Sequence, residues 1–255
     1  MKKITFFQII TIILTLLTII VNGLANALPL NGQGTGEISD RFSIYFVPAG
    51  YVFTIWGLIY LGILGFMIYQ ALPAQLDNRL IRKISPAYWI SSLANIAWIF
   101  LWHYEIFTFT LPVMLTILAS LLYIYIQISK ESSDLTLSQK WFIKFPFSIY
   151  LGWISVASIA NASQVLFFFG WGGLGISPAV WTVIMLAIAA GLGILMNWRE
   201  NDALYVLVLI WAFVGIAVSQ ADTSMVAITA LTAAVVLVFA LVTRPVVSWL
   251  SPKEG

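Results

Sequence analysis

The side chains that could do chemistry in this sequence are amides, hydroxyls and aromatic rings that recur at helical spacing within apolar segments. Tyr88, Ser91, Asn95, Trp98 and Trp102 follow one another at steps of three or four residues. Residues at that spacing lie on one side of a helix. Indoles and amides on such a face can bind a flat apolar molecule, by stacking on its rings and by hydrogen bonds to its polar edges.

Two further apolar segments carry faces of the same kind. They consist of Phe53, Trp56 and Tyr60 in one, and Tyr150, Trp153, Ala157, Asn161 and Gln164 in the other. Because polar side chains at membrane depth turn away from lipid, we expect the three faces to converge on a pocket. For any single Asn, hydrogen bonding between helices explains the position equally well, and plain packing is the commoner role of a buried Trp.

The sequence offers no set of residues for a conventional enzyme mechanism. It has no cysteine, and its only histidine is His103, at the outer end of an apolar segment, where an interfacial polar role is the simplest interpretation. Ser155 and Ser158 have no nearby base, and hydroxyls in membrane helices usually bond back to their own backbone. We therefore expect no catalytic residues, no metal site and no haem iron held by a buried His or Cys.

The composition is that of an integral membrane protein. Of 255 residues 61% are hydrophobic and 9% are charged, whereas a soluble domain carries about 25% charged residues. A net charge of +2 without a basic run argues against a nucleic-acid partner. Runs free of Asp, Glu, Lys and Arg predict an all-α fold with about eight transmembrane helices, over 4–27, 49–72, 84–102, 106–129, 145–168, 177–198, 203–220 and 225–243.

The basic residues predict the orientation of these helices. With the N-terminus inside, eleven of the twelve Lys and Arg residues fall in inner segments, and only Arg41 falls outside. This asymmetry predicts cytoplasmic termini and a long outer loop over about residues 28–47, with a plasma or inner membrane as the default location. The start of the chain, Lys2-Lys3 followed by an apolar run and Ala25-Asn26-Ala27, also fits a signal peptide whose cleavage would leave seven spans.

Three stretches at the aromatic faces resemble the TspO/MBR family (translocator protein/tryptophan-rich sensory protein). Residues 150–161, Tyr-Leu-Gly-Trp-Ile-Ser-Val-Ala-Ser-Ile-Ala-Asn, are similar to the family's fifth-helix signature Tyr-Leu-x-Trp-x-Ser/Thr-x-Ala-Thr-x-x-Asn. Residues 93–98 resemble its third-helix Leu-Asn-x-x-Trp motif, with Asn95 one position later. Residues 48–56, followed by Tyr60, resemble the start of its second helix, with Ala49 and Tyr51 in place of a Pro and a Trp.

The resemblance implies a five-helix bundle over residues 1–168, and the three additional transmembrane helices and the tail predicted over 169–255 have no counterpart in the five-helix members. It also implies a membrane receptor or sensory protein whose central pocket takes tetrapyrroles or sterols, with porphyrin as a ligand class and no certain cofactor. Matched by position, the pocket wall comprises Trp56, Asn95, Trp98, Tyr150, Trp153, Ala157 and Asn161, and the outer loop with Pro48 forms a lid. A transporter of a small hydrophobic molecule, a helical subunit that binds no ligand, and a homodimer all stay open.

Overall fold

The computed structural model of the chain describes residues 5–28 and 30–250, with their side chains as far as residue 244. This part is helical and contains no strand. Its helices are α1 (Phe6–Ala27), α2 (Thr35–Asp40), α3 (Ile55–Ala71), α4 (Arg79–His103), α5 (Phe107–Lys130), the short α6 (Leu137–Gln139), α7 (Phe145–Phe168), α8 (Pro178–Glu200), α9 (Ala203–Ser219) and α10 (Ser224–Leu250). A π-helical turn, Lys140–Lys144, joins α6 to α7.

The number of spans agrees with the sequence prediction except at one helix. Seven helical segments of the described part are long and apolar enough to cross a membrane, and together they make this an integral multi-pass membrane protein. The remaining predicted span is α9, which has 17 residues and a length of about 25 Å at 1.5 Å per residue. That length lies at the lower limit for a transmembrane helix.

The helices extend further at their ends than the apolar runs that predicted them. α4 begins at Arg79, so Arg79, Arg82 and Lys83 lie in its first turns. The segment Leu137–Phe168 forms one helical run of 32 residues that includes Lys140 and Lys144. Charged residues therefore occupy helix ends as well as loops and tails, because a helix continues past the hydrocarbon edge wherever its backbone bonds can continue.

The chain forms two compact units. The first comprises Met1–Ser43 and Thr54–Phe169, and the second comprises Ile44–Phe53 and Gly170–Gly255. In the first unit, α4 packs against α1 and α5, while α7 packs against α3 and α5. In the second unit, α8, α9 and α10 pack against one another.

A buried polar face of α1, which the sequence analysis did not predict, attaches this helix to the first unit. Gln8, Thr11, Thr15, Thr18 and Asn22 recur at steps of three and four, and all are buried. The Gln8 amide donates to the Gln70 carbonyl of α3 at 2.7 Å, the hydroxyls of Thr15 and Tyr88 lie 2.7 Å apart, and the Trp89 indole donates to Thr11 at 2.9 Å. These bonds make α1 an integral part of the bundle.

The second unit holds the end of the loop that precedes α3. The Ala49 amide donates to the Gly215 carbonyl of α9 at 3.0 Å, and the Trp211 indole donates to the Val52 carbonyl at 3.1 Å. A Cβ atom built on Gly215 would lie 2.1 Å from Cγ2 of Val52 and 3.1 Å from Cβ of Pro48. The lid predicted from the sequence is therefore divided: its first part packs in the first unit, and the part with Pro48 packs against α9.

Candidate functional site

Aromatic rings from α3 and α7 form one cluster in the first unit. The ring centroid of Trp56 lies 5.5 Å from that of Tyr60 in a stacked arrangement, and 5.9 Å from Tyr150 and 6.2 Å from Trp153 in edge-to-face arrangements. Both distances and angles fall in the range that favours aromatic pairs. α3 presents Trp56 and Tyr60 one turn apart, and α7 presents Tyr150 and Trp153 at a step of three, so both pairs face the same cluster.

Asn95 connects this cluster to α1. Its Oδ1 accepts a hydrogen bond from the Asn22 amide at 2.7 Å, and its Nδ2 donates to the Tyr150 hydroxyl at 3.2 Å. Asn22 and Asn95 are each 3% exposed, so these bonds satisfy groups that would be costly to leave unpaired in the interior. The polar chain Asn22–Asn95–Tyr150 therefore holds α1, α4 and α7 together.

Asn161 occupies a second junction nearer the outer end. Its Oδ1 accepts from the Trp98 indole at 3.3 Å, and its Nδ2 donates to the Thr110 hydroxyl at 3.0 Å. This chain connects α4, α7 and α5. The Trp98 ring stacks on Trp102 with centroids 5.0 Å apart, so indole packing continues along α4.

The structure thus brings six of the seven sequence-predicted site residues into two contacting groups. Trp56, Asn95, Tyr150 and Trp153 form one, and Trp98 with Asn161 forms the other. Ala157 lies on α7 between the two groups, one turn from each of Trp153 and Asn161, and is half-buried. Tyr150 and Trp153 are almost fully buried, at 3% and 2% exposed, whereas Trp56 and Trp98 are only partly buried, so these two indoles keep accessible ring surface.

The end of the first unit where α4 ends is covered by α2. Ile38 of α2 is fully buried against Trp102 and Phe107, with Phe42 and Trp98 packed at the edge of the same cluster. Two hydrogen bonds tie α2 down: the Trp102 indole donates to the Thr35 carbonyl at 3.1 Å, and the Gln164 amide donates to the Ser39 hydroxyl at 3.3 Å. Gln164, part of the predicted polar face on α7, thereby anchors α2.

His103 is buried and holds the segment that leads into α2. Its Nδ1 donates to the Leu30 carbonyl at 3.2 Å, since a carbonyl can only accept, and its Nε2 lies 2.9 Å from the Thr35 hydroxyl. Its own carbonyl accepts from the Asn31 amide at 3.0 Å. The histidine is 0% exposed, so it does not have the expected interfacial role: His103 is an internal tie between α4 and the segment that leads into α2.

An ion pair beside His103 adds to this attachment. Arg41 lies 3.0 Å from the Glu105 carboxylate, and the Gln33 amide donates to the same oxygen at 3.2 Å. These hydrogen bonds, from Gln33 first and from Arg41, hold the pKa of the Glu105 carboxyl below its ordinary value. Both partners of the pair are half exposed to solvent, so water screens the attraction and its contribution is small.

Asn22 and Thr110 are the site residues that the sequence analysis missed. A signal for Asn22 exists, because the polar residues of α1 recur at helical spacing just as those of α4 and α7 do. The sequence predicts this run as a transmembrane helix or a signal peptide, and neither prediction depends on which side of the helix its polar residues occupy. Thr110 is one of several hydroxyl residues in its apolar run, and nothing in the sequence distinguishes it from hydroxyls that bond to their own helix.

These features define the protein as a multi-span helical membrane protein with a cluster of indole, phenol and amide side chains inside its first unit. The chain matches the model of the TSPO-like protein family over residues 8–243, and it therefore belongs to that family. The match continues past residue 168 into α10, so the three C-terminal helices are part of the family pattern. Among curated proteins and solved structures, nothing matches the chain significantly.

Proposed function

We propose that this protein is a membrane receptor or sensory protein that binds a flat apolar ligand, tetrapyrrole- or sterol-like, between α3, α4 and α7. The observation that carries the proposal is the cluster around Trp56, whose ring is only partly buried while Tyr60, Tyr150 and Trp153 support it. An indole held in place by other rings is a stacking platform that loses little conformational entropy when a ligand binds. Membership of the TSPO-like family supports the same function.

The hydrogen bonds within the site determine how such a ligand would be held. Asn95 and Asn161 are both engaged with side chains of other helices. A ligand that took over these amides would have to break bonds that join helices. We therefore propose recognition by stacking on Trp56 and Trp98 and by shape, with the amides supporting the rings from behind.

The same pairing of amides favours a second candidate, a helical subunit whose aromatic faces serve only to pack its own helices. This candidate accounts for Asn95 and Asn161 without a ligand, because each amide is hydrogen-bonded to side chains of two other helices. It leaves the accessible ring surface of Trp56 and Trp98 without a role. It also predicts that the isolated chain binds no porphyrin, which a titration decides.

The test is a titration of the purified protein with protoporphyrin IX in detergent, following the porphyrin absorbance and the tryptophan fluorescence together. Stacking of a flat ring on an aromatic side chain contributes about 1–3 kcal/mol, so Trp56→Leu is expected to weaken binding by about tenfold. The matched control is Trp198→Leu on α8, which removes an exposed indole from the second unit and is expected to leave the affinity unchanged.

Linear, unsaturable quenching that is the same in wild type and both variants would mean that the porphyrin partitions into the detergent, and the receptor proposal would fail. If porphyrin does not bind but a sterol analogue does so saturably and is sensitive to Trp56→Leu, the ligand class is sterol-like. Net uptake of the bound molecule into proteoliposomes would show that the protein is a transporter and not a receptor.

A further inference from the structure

A second, outward-facing site lies between the α3 helix and the segment that leads into α7. It is a groove of about 410 Å³ in the first unit, lined by Leu58, Leu61, Gly62 and Gly65 of α3 and, on the other wall, by Leu137, Ser138, Trp141, Phe142 and Phe145. Apart from Ser138 its lining is apolar or glycine. None of these residues belongs to the Trp56 cluster, so the groove is independent of the proposed receptor site.

Two glycines bring the walls of this groove together. A Cβ atom on Gly62 would lie 3.2 Å from Cβ of Pro146, and one on Gly65 would lie 3.3 Å from Cδ1 of Phe142. Both distances are tighter than ordinary side-chain contacts, so the absence of side chains lets α3 approach the start of α7 closely. The groove is therefore built into the packing of the two helices.

The groove is open along its length to the surroundings of the bundle. Leu61, Trp141 and Phe142 are 68%, 58% and 42% exposed. The rings of Trp141 and Phe145 lie with centroids 5.6 Å apart, and Phe142 stacks on Tyr69 at 5.3 Å. A row of ordered rings and leucines facing a bilayer is suited to an extended acyl chain.

Two lysines are next in sequence to residues that line this apolar groove. Lys140 and Lys144 each come one residue before a groove-lining ring, Trp141 and Phe145, within the π-helical turn Lys140–Lys144. The walls 55–72 and 137–168 contain no Asp or Glu. The ion pairs Arg41–Glu105 and Arg82–Asp77 involve neither lysine.

We propose that this groove binds an anionic glycerophospholipid of the surrounding bilayer, with one acyl chain along α3 and the headgroup phosphate between Lys140 and Lys144. Charge complementarity selects this occupant over a sterol, which would leave both ammonium groups unused. Charge complementarity also favours the anionic lipid over a second copy of this chain, which would place four lysines against one another. Arg79, Arg82 and Lys83 at the same end of the bundle increase the local concentration of anionic lipid.

Trp141 makes the proposal measurable. The full-length protein is reconstituted in phosphatidylcholine nanodiscs that contain either phosphatidylglycerol or phosphatidylcholine with brominated acyl chains, and the tryptophan quenching is recorded. Subtracting the signal of Trp141→Phe isolates the quenching at the groove. Since each basic residue near the surface favours an anionic lipid about fivefold, we expect the phosphatidylglycerol to quench Trp141 at least fivefold more effectively than the phosphatidylcholine.

The double variant Lys140→Gln/Lys144→Gln is expected to lose this preference while keeping the quenching by neutral lipid. The control Lys130→Gln removes one charge in the last turn of α5, outside the groove walls, and it is expected to keep the preference. Equal quenching by the two lipids in the wild type would overturn the proposal. Protection of Trp141 from both lipids, with cross-linking between copies that carry Ser138→Cys, would overturn it in favour of a second copy.

Discussion

Asn95 shows how one amide can serve as a junction in a membrane protein. It is bonded on one side to Asn22 of α1 and on the other to Tyr150 of α7. Its removal leaves two polar groups of other helices without their partner. The effect should therefore appear in stability before it appears in ligand binding.

We expect Asn95→Ala to lower the free energy of unfolding by about 1–2 kcal/mol, the usual size of a hydrogen bond between membrane helices together with the side-chain volume lost. A titration with a denaturing detergent, monitored by circular dichroism, measures this free energy of unfolding. Leu93→Ala on the same helix is the control, because Leu93 is 55% exposed and its loss should change the free energy of unfolding by less than about 0.5 kcal/mol.

A double variant with Tyr150→Phe tests the bond itself. If Asn95 and Tyr150 are coupled through their hydrogen bond, the effects of the two substitutions are less than additive. Fully additive losses would contradict the junction.

At this scale the sequence shows which side of a helix a residue occupies but not which partner it meets. The spacing of Asn95 and Trp98 on α4, and of Tyr150 and Asn161 on α7, was sufficient to group them. That Asn95 pairs with Tyr150 while Asn161 pairs with Trp98 depends on the axial register between α4 and α7. Register follows from the packing of whole helices, which no local pattern encodes.

Among the helices, α9 is the one whose role the sequence did not indicate. Its length is at the limit for a span, and it holds the chain just before α3 through Ala49, Val52 and Trp211. Trp211 lies too deep for an interfacial anchor, and its indole hydrogen bond to the Val52 carbonyl explains why a Trp stands there. Close approach of this segment requires the absence of a side chain at Gly215.

Gly215→Ala is expected to lower the free energy of unfolding by about 1–3 kcal/mol, the usual cost of overpacking, because the new Cβ collides with the short, buried side chain of Val52. The temperature midpoint of unfolding in detergent reports the change. Gly191→Ala on α8 is the matched control, since nothing lies within 4 Å of its new Cβ and alanine favours a helix. A Gly215→Ala protein as stable as Gly191→Ala would show that the segment is free to move away from α9.

The first helix shows a different limit of pattern analysis. As an apolar run it is predicted as a transmembrane helix and also fits a signal peptide, and only its hydrogen bonds to Gln70, Tyr88, Trp89 and Asn95 show how it packs. Loss of α1 would strip these buried groups of their partners. Retention of α1 in the mature protein accordingly stays a prediction with a physical reason.

For the whole molecule, orientation is the property that charge alone predicts. The chain has no cysteine, so one introduced cysteine is the only thiol and its reaction with a membrane-impermeant maleimide reports its side. We expect Gly36→Cys in α2 to react in intact cells, because Gly36 is exposed and has no atom near its new Cβ. We expect Ser133→Cys, between α5 and α6, to react only after lysis.

Gly172→Cys extends this test to the second unit. It precedes α8, is exposed and has open space around its Cβ, so it should react from outside like Gly36→Cys. Labelling of Ser133→Cys in intact cells would reverse the orientation, whereas inside labelling of Gly172→Cys alone would mean that α8 to α10 are inserted the other way round.

The sequence by itself determined that this is a helical membrane protein of the TSPO-like kind, approximately where its helices lie, and which side of α3, α4 and α7 carries the aromatic and amide residues. Hydropathy and periodicity are local properties, because each segment that crosses the bilayer must by itself be apolar and helical. Only the tertiary structure decided that the polar face of α1 is bonded to α3 and α4, that His103 ties down the segment that leads into α2, and that residues 44–53 pack with α9. Those outcomes depend on contacts between segments distant in the chain, where shape and hydrogen-bond geometry select one arrangement among many with the same pattern.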